Sequence, residues 1–357
     1  MSLEIYPSDF STRYGLYGAT SISMSVYYNE TGKIQITEPM DEYNIAAIAT
    51  GNIVYDTERG TTYIIVSVMR DTTQRSITAN GYTTDWLLSK RAQIVDKQIT
   101  NIETGVRELV TENMLASGDA RNYPRIVLGD LKGYTEQWQP DDAETTDEDE
   151  SRTYGGQLLE TVEDLLEYGG LGRRMIWNGD KLQWTFDIYK GEDRTTGIHQ
   201  IAFVEEQGTC SDLVIEEDIS TFKNVAYGRY VFNEQEYLTS VGNATGENRY
   251  EYWSSVMETG EDGDTQAKIE SRAKASLALE LKNYISRQSF TVTIDPSELG
   301  TRYSLGDVVS CVSNRFSISF TARITGVKYT MDATGESTSI VLGDPTLTAL
   351  GALKLNG

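Results

Sequence analysis

Apolar and polar residues alternate along much of the first ninety positions, which is the pattern of β-strands with one buried face. In the stretch SISMSVYY the apolar positions are Ile22, Met24, Val26 and Tyr28, and the alternation resumes in KIQI after NETG. Further short strands follow at a spacing of about ten residues, with DTERG and RDTT as turns. The pattern predicts a hairpin within a meander, sandwich or small barrel, and it disfavours a parallel α/β architecture.

The middle of the chain has the spacing of amphipathic helices instead. DWLLSKRAQI and TGVRELVTENMLAS both show helical spacing, and the second places four apolar residues on one face. A third helix is predicted in YGGQLLETVEDLLEYGG, where one apolar stripe is followed by two glycines that end the helix. The apolar face of the second helix consists of Val106, Leu109, Val110 and Met114. The apolar stripe of the third consists of Leu158, Val162, Leu165 and Leu166, and Gly169 and Gly170 end that helix.

A strand pair, a long helix and a second strand-rich region follow. The pair turns at Asn178 and Gly179, which is a hairpin signal. DTQAKIESRAKASLALELKNYI predicts a helix capped by Asp262 or Asp264. Its inner face consists of Ile269, Ala273, Leu277, Leu281 and Tyr284. The strands after it include a pair joined by the turn DATGE. We therefore predict a β-rich α+β chain with three regions, 1–95, 96–215 and 216–357.

The charge of the chain restricts its partners. With 54 acidic and 31 basic residues the formal net charge is −23 at pH 7, which argues against a protein that wraps a phosphate backbone. An acidic surface does suit a protein that nucleic acid must pass without sticking. No apolar run is long enough to cross a bilayer, and the first residues lack the features of a signal peptide. We expect the protein to be made and used from the cytoplasm.

The most acidic stretch is residues 141–150, in which seven of ten residues are acidic. This composition predicts a solvated loop. A calcium site is the alternative, but the stretch lacks the alternating ligands and the glycine of an EF-hand loop. The acidic residues are Asp141, Asp142, Glu144, Asp147, Glu148, Asp149 and Glu150.

Candidate catalytic chemistry is sparse. His199 is the single histidine, so any Ser-His-Asp or Cys-His site would depend on it. Cys210 and Cys311 lack the spacing of a zinc site, and no phosphate-binding glycine loop is present. Pairs of carboxylates suited to a glycosidase cannot be distinguished among so many acids. We predict no catalytic, cofactor-binding or metal-binding residue.

The order of the motifs carries more information than any one of them. The path runs through NGYTTDWLLSKR, GGQLLETVEDLL, TFDIYKGEDRT and DISTFKNVAYGRY to YSLGDVVSCV and the last hairpin. This order resembles the siphophage tail-tip or baseplate hub family of long-tailed phages and prophages. The most specific residues are Gly191, Asp193, Arg194 and Thr195 of a G-x-D-R-T motif, and Leu305, Gly306 and Asp307 of an L-G-D motif.

The resemblance implies a structural protein rather than an enzyme. Hub proteins carry two β-barrel-like tube domains with inserted elements, and three copies form a ring of pseudo-sixfold symmetry. That ring joins the distal tail ring to tip or receptor-binding proteins, and the tape-measure protein and then DNA leave through it. We therefore expect a cofactor-free homotrimer at the phage tail tip, assembled in the host cytoplasm. Larger relatives continue into a lytic or binding region, which is not expected after ALGALKLNG.

Two alternatives remain open, a carbohydrate- or receptor-binding tip protein and a cell-wall hydrolase. Under the hub interpretation the stretch DIYKGEDRTTG closes a hairpin after a strand. Gly191 then permits the turn, and Asp193 and Arg194 form an ion pair or a contact between copies.

Overall fold

The computed structural model describes residues 2–95, 97–116, 120–138, 152–153, 155–218, 220–260, 263–282, 284, 287–315 and 318–347. Two compact units are present: unit 1 consists of Met1–Val214 with Phe290–Gly357, and unit 2 is Ile215–Ser289. The acidic residues of 141–150 lie outside the described residues. None of the described helices combines the length and the apolar composition needed to cross a membrane.

The helices are α1 (Glu42–Ala47), α2 (Ile102–Val110), α3 (Leu158–Tyr168) and α4 (Gln266–Lys282). Short 3-10 turns cover Thr84–Lys90, Glu205–Gln207 and Gly246–Asn248, and a π-helical turn, Thr111–Leu115, continues α2. The strands are β1 (Leu3–Tyr6), β2 (Tyr14–Leu16), β3 (Ser21–Tyr27), β4 (Lys33–Pro39), β5 (Ile53–Asp56), β6 (Thr61–Asp71), β7 (Ser76–Thr83), β8 (Ala92–Gln93), β9 (Lys97–Gln98), β10 (Ile126–Leu128), β11 (Arg152–Thr153), β12 (Gly156–Gln157), β13 (Gly172–Asn178), β14 (Gln183–Tyr189), β15 (Ala202–Val204), β16 (Ser211–Asp218), β17 (Val225–Phe232), β18 (Gln235–Val241), β19 (Glu251–Thr259), β20 (Arg287–Thr293), β21 (Val308–Ser313), β22 (Ile318–Asp332) and β23 (Gly335–Leu347).

The main sheet of unit 1 joins the N-terminal and C-terminal strands. Its strands follow the order β20-β23-β22-β3-β4-β7-β6-β5-β1-β2. The predicted hairpin of β3 and β4 is confirmed, with Ile22 opposite Ile36, and so is the hairpin at DATGE, where Asp332 faces Gly335. Alternation places the apolar residues of these strands in the core, as the period of two requires.

Strand β22 links the two ends of the chain. Its first half pairs with β21 and its second half with β3, while β23 lies along its other edge. The result is a curled, half-barrel sheet in a strand-rich protein, so the predicted β-rich α+β class is confirmed. The assignment of two tube domains stays a prediction.

The middle of the chain packs on this sheet. The hairpin of β13 and β14 is confirmed, and β10 pairs with β14 in parallel. Helices α2 and α3 bury the predicted apolar stripes in a core that also contains Ile53, Ile64 and Trp184. Trp184 donates from Nε1 to Oγ1 of Thr62 over 2.9 Å. The core therefore extends across residue 95, and the division at 95 and 215 stays a prediction.

Unit 2 is a three-stranded sheet of order β18-β17-β19 with α4 on one face. Of the predicted inner face of α4, Ile269, Ala273 and Leu277 are buried, whereas Leu281 and Tyr284 are half-buried. At the start of this helix the hydroxyl of Thr265 accepts a hydrogen bond from the backbone N–H of Lys268, which is a capping contact. Of the two predicted caps, Asp264 forms ion pairs with Lys268 and Arg272, and Asp262 lies outside the described residues.

One predicted helix differs from the structure. DWLLSKRAQI forms only the 3-10 turn Thr84–Lys90 and then enters β8. Leu87 and Leu88 are buried in the shared core. Tertiary packing therefore accounts for the apolar spacing that predicted an α-helix.

Candidate functional site

The G-x-D-R-T and L-G-D motifs meet in unit 1, and Asp307 is the centre of the contact. Its Oδ1 accepts a hydrogen bond from the backbone N–H of Glu192 over 2.8 Å. Its Oδ2 accepts from Nε of Arg194 at 2.5 Å and from the backbone N–H of Ser304 at 2.9 Å. Asp307 is buried, so these three donors replace the water that its carboxylate loses.

The backbones of the two motifs are also joined. Val308 donates to the carbonyl of Glu192, and Arg194 donates to the carbonyl of Val308, both over 2.8 Å. Asp193 and Val308 thereby form a parallel bridge. The stretch after β14 therefore crosses to the start of β21, and the predicted hairpin tip is wrong, because β14 pairs with β13 and β10 only among the described strands.

Two glycines allow this close approach. A Cβ on Gly191 would lie 1.9 Å from the carbonyl oxygen of Gly306, so the position excludes every side chain. Gly306 has a φ of +96°, and a Cβ on it would lie 2.3 Å from the ring of Tyr28. Gly191 is not one of the described glycines with a positive φ, so glycine is required there for space rather than for the predicted turn.

The predicted ion pair between Asp193 and Arg194 is replaced by other contacts. Oδ1 of Asp193 accepts from the backbone N–H and the hydroxyl of Thr195, at 2.9 and 2.6 Å, and these bonds lower the pKa of Asp193. Arg194 forms ion pairs with Asp307 and Glu192, and its hydrogen bond to Asp307 raises the pKa of the arginine. Adjacent side chains on an extended segment point to opposite sides, which separates Asp193 from Arg194.

Tyr28 connects a third segment of the chain to the two motifs. Its hydroxyl donates to the carbonyl of Gly170 at 3.0 Å and accepts from the backbone N–H of Gly191 at 3.1 Å. The side chain is buried, and burial raises the pKa of the phenol. The guanidinium of Arg323 lies 5.2 Å from the ring centroid and donates to the carbonyl of Gly306 over 2.6 Å. We name Tyr28, Gly191, Arg194, Gly306 and Asp307 the motif junction.

A cleft of about 740 Å³ lies beside the motif junction. Residues of both motifs line it, together with Tyr27 and Val327 from the paired strands β3 and β22. The cations that line the cleft are each paired with carboxylates: Arg59 with Asp56, Arg173 with Asp85 and Glu163, Arg174 with Asp187, Lys190 with Glu136, and Arg194 with Asp307. Such paired cations do not offer the free charge that phosphate binding requires.

The described residues show no catalytic constellation at the junction. His199 is exposed in a turn. Cys210 and Cys311 are buried and free, and burial raises their thiol pKa values to about 11 and about 12. Within the described ranges no cluster of His, Cys, Asp or Glu could hold a metal ion. The junction holds three chain segments in place.

Sequence reasoning found both motifs but not their contact. It missed Tyr28 and Arg323, which touch the junction from strands or loops far away in the chain. It also missed Arg173, a fully buried cation held by Asp85 and Glu163. The available signal was the glycine in each motif, since two glycines suggest a place where backbones approach closely.

Comparison with known proteins gives the family. Residues 2–344 match the family described as Siphovirus ReqiPepy6 Gp37-like protein. No match was found among curated proteins.

Two solved structures share the fold, and a third is less similar. A tail protein from Neisseria meningitidis MC58 is similar with a TM-score of 0.54 and 11% identity, over 96% of each chain. The 43 kDa tail protein of prophage MuSo2 from Shewanella oneidensis is similar with a TM-score of 0.54 and 11% identity, over 96% of this chain and 98% of the other. The prophage tail protein gp18 from Listeria monocytogenes EGD-e has a TM-score of 0.49 and 16% identity, over 100% of both chains. The resemblance seen in the sequence is confirmed: this chain belongs to the Siphovirus ReqiPepy6 Gp37-like family and has the fold of phage tail proteins.

Proposed function

We propose that this tail protein is the hub of the tail tip, where three copies form a ring between the distal tail ring and the tip or receptor-binding proteins. The observation that carries the proposal is the continuous sheet of unit 1. Pairing of β22 with β3, from Gly326 opposite Tyr27 to Met331 opposite Ile22, joins the N-terminal and C-terminal strands. One copy can then present two linked β-rich sectors, which is what a threefold ring needs to match a sixfold neighbour.

The motif junction supports a structural role within this ring. Its buried Asp307 and Tyr28 bind backbone groups from distant segments, and the cations of the adjacent cleft are paired with carboxylates. We propose that the protein acts without catalysis or a cofactor and that its seven motif residues maintain shape. Its hydrogen-bonded carboxylates stabilise backbone positions rather than activate water or a nucleophile.

The charge of the chain supports a role in the exit of DNA. Three copies at −23 each surround any central channel with a strongly acidic protein. Like charges repel, so a phosphate backbone and an acidic bore do not adhere. We propose that the tape-measure protein and then DNA leave through this bore, gated by the ring and without specific binding. The competing explanation of the negative charge is that the acidic residues only keep the assembly soluble.

Electron cryomicroscopy of intact tails tests the hub proposal. We expect a threefold ring of this chain at the tip, with an axial hole and an acidic lining. A different position along the tail, or a copy number other than three per ring, would overturn the proposal. A neutral or basic bore would refute only the DNA-passage role. Turnover of peptidoglycan by the purified protein, compared with heat-denatured protein as control, would instead favour the hydrolase alternative.

A further inference from the structure

The sheet of unit 2 has two different faces. Helix α4 covers one face, where Leu277 contacts Gly228 and Ile269 packs with Tyr230. The opposite face follows from the register: Arg229 lies between Leu238 on β18 and Met257 on β19, and Tyr227 lies beside Trp253. We name these last five residues, Tyr227, Arg229, Leu238, Trp253 and Met257, the outer face.

The outer face is apolar and exposed. Leu238 is 62% exposed, Trp253 54% and Met257 45%. Leu238 on β18 is separated from Trp253 and Met257 on β19 by the side chains of Tyr227 and Arg229 on β17. Exposed apolar side chains that share one face of a sheet in this way mark interaction surfaces. Tryptophan, tyrosine, methionine and arginine are also the residue types enriched where proteins bind one another. Leucine and methionine on both sides of the arginine favour a protein partner over a sugar, whose binding relies on aromatic rings and hydrogen bonds.

The charged groups of the outer face are balanced. Arg229 lies 5.3 Å from the ring centroid of Trp253 and forms an ion pair of 3.0 Å with Glu236. At the edge, Arg249 pairs with Glu251 at 2.5 Å and donates to the hydroxyl of Tyr227. The partners of Arg229 and Arg249 are about half exposed, so these are surface pairs that a carboxylate of another molecule can replace at little cost.

We propose that the outer face of unit 2 is a contact surface between copies of this chain. The inference rests on the proposed ring and names the surface that closes it. Two molecules with a charge of −23 repel each other, and this repulsion is least at the outer face, where Glu236 balances Arg229 and, at the edge, Glu251 balances Arg249. Arg229 and Arg249 complement the acid-rich surface that another copy presents. Copies in a closed threefold ring make heterologous contacts, so the outer face meets a different surface of the next copy.

Site-specific photocrosslinking in assembled tails tests the identity of the occupant. The photoreactive residue p-benzoylphenylalanine replaces Leu238, and Lys274 on the exposed side of α4 serves as the matched control position. We expect the position 238 product to have about twice the mass of the 39.8 kDa chain and to contain peptides of this chain alone. The control position should give at least about fivefold less of this product.

Every other product overturns the inference. A crosslink from position 238 to a different tail protein assigns the face to that partner, and a crosslink to a host glycan assigns it to a receptor. Absence of a crosslink in tails that contain the ring shows that the face stays uncovered. In each of these cases a threefold ring seen in the same tails leaves the hub proposal intact. A missing ring, by contrast, refutes the hub proposal itself.

A second measurement uses substitutions. Trp253→Ser and Leu238→Ser should each reduce ring formation in assembled tails by about tenfold, whereas Ile198→Ser, at another exposed apolar position, should leave it unchanged. Far-ultraviolet circular dichroism of the purified variants verifies that unit 2 remains folded. Ring formation equal to that of the wild type in both variants contradicts the inference.

Discussion

The guanidinium of Arg194 donates from Nε to Oδ2 of Asp307 over 2.5 Å and joins two motifs that lie 113 residues apart in the chain. Asp307 has a side-chain exposure of 3%, compared with 18% for Arg194. The carboxylate is therefore the partner that depends on the contact, because water cannot replace the arginine at a buried oxygen.

Replacement of Arg194 by alanine should lower the free energy of unfolding by about 1–3 kcal/mol, since Asp307 keeps its charge but loses a charged donor. Urea denaturation at pH 7 measures the change. The control is Arg302→Ala, which removes an exposed pair with Glu298 and should cost less than about 0.5 kcal/mol. Equal losses in both variants would show that burial of Asp307 does not strengthen the contact.

A side chain at position 191 should disrupt the junction. Gly191→Ala places a Cβ 1.9 Å from the carbonyl oxygen of Gly306, and backbone atoms must move to relieve the overlap. We expect a loss of about 1–3 kcal/mol, measured as a lower midpoint of urea unfolding. Gly179→Ala is the control, since its Cβ would meet only Trp177 at an ordinary 3.5 Å. A wild-type midpoint for Gly191→Ala contradicts the close approach of the two motifs.

Loss of the Tyr28 hydroxyl should weaken the same region without a steric change. Tyr28→Phe leaves the backbone N–H of Gly191 without its acceptor and the carbonyl of Gly170 without this donor. The expected cost is about 1–2 kcal/mol. Amide hydrogen exchange should show faster exchange at Gly191 in the variant. Tyr17→Phe, at a residue that is 91% exposed, should change neither quantity.

Glu38 should make stability depend on pH. Burial, followed by the charge of Asp41, raises the pKa of Glu38 from 4.5 to about 7, and its Oε1 lacks a hydrogen-bond partner among the described residues. Because the folded state favours the protonated acid, this stabilising contribution is complete below pH 4.5 and is lost as the pH rises through about 7.

The variant Glu38→Gln removes the ionisation. We expect it to gain up to about 3 kcal/mol relative to the wild type between pH 5 and pH 8, as determined by urea denaturation at both values. Glu42→Gln, at an exposed position in the first turn of α1, provides the control. The difference in unfolding free energy between this variant and the wild type should be the same at pH 5 and pH 8. A flat difference for Glu38→Gln as well would mean that this carboxyl titrates normally.

The local pattern of the sequence was sufficient for most of the elements. Alternation predicted β3 and β4 as a hairpin, and the helical spacing of Leu158, Val162, Leu165 and Leu166 identified α3 and its buried face. Asn178 and Gly179 marked the hairpin of β13 and β14. These features depend on contacts between near neighbours, whose periods of 2 and 3.6 residues are visible in the chain itself.

The contacts between distant segments were decided by the tertiary structure. The sequence contains Gly191, Arg194, Gly306 and Asp307, and by itself it favoured a hairpin in which Asp193 and Arg194 form an ion pair or a contact between copies. The fold instead brings β21 beside the segment after β14, so that Arg194 reaches Asp307 and Gly191 meets Gly306. The spacing of residues along the chain does not predict that Asp307 contacts Arg194 or that Gly306 contacts Gly191. A contact across more than a hundred residues depends on how the sheet joins its two ends through the pairing of β22 with β3.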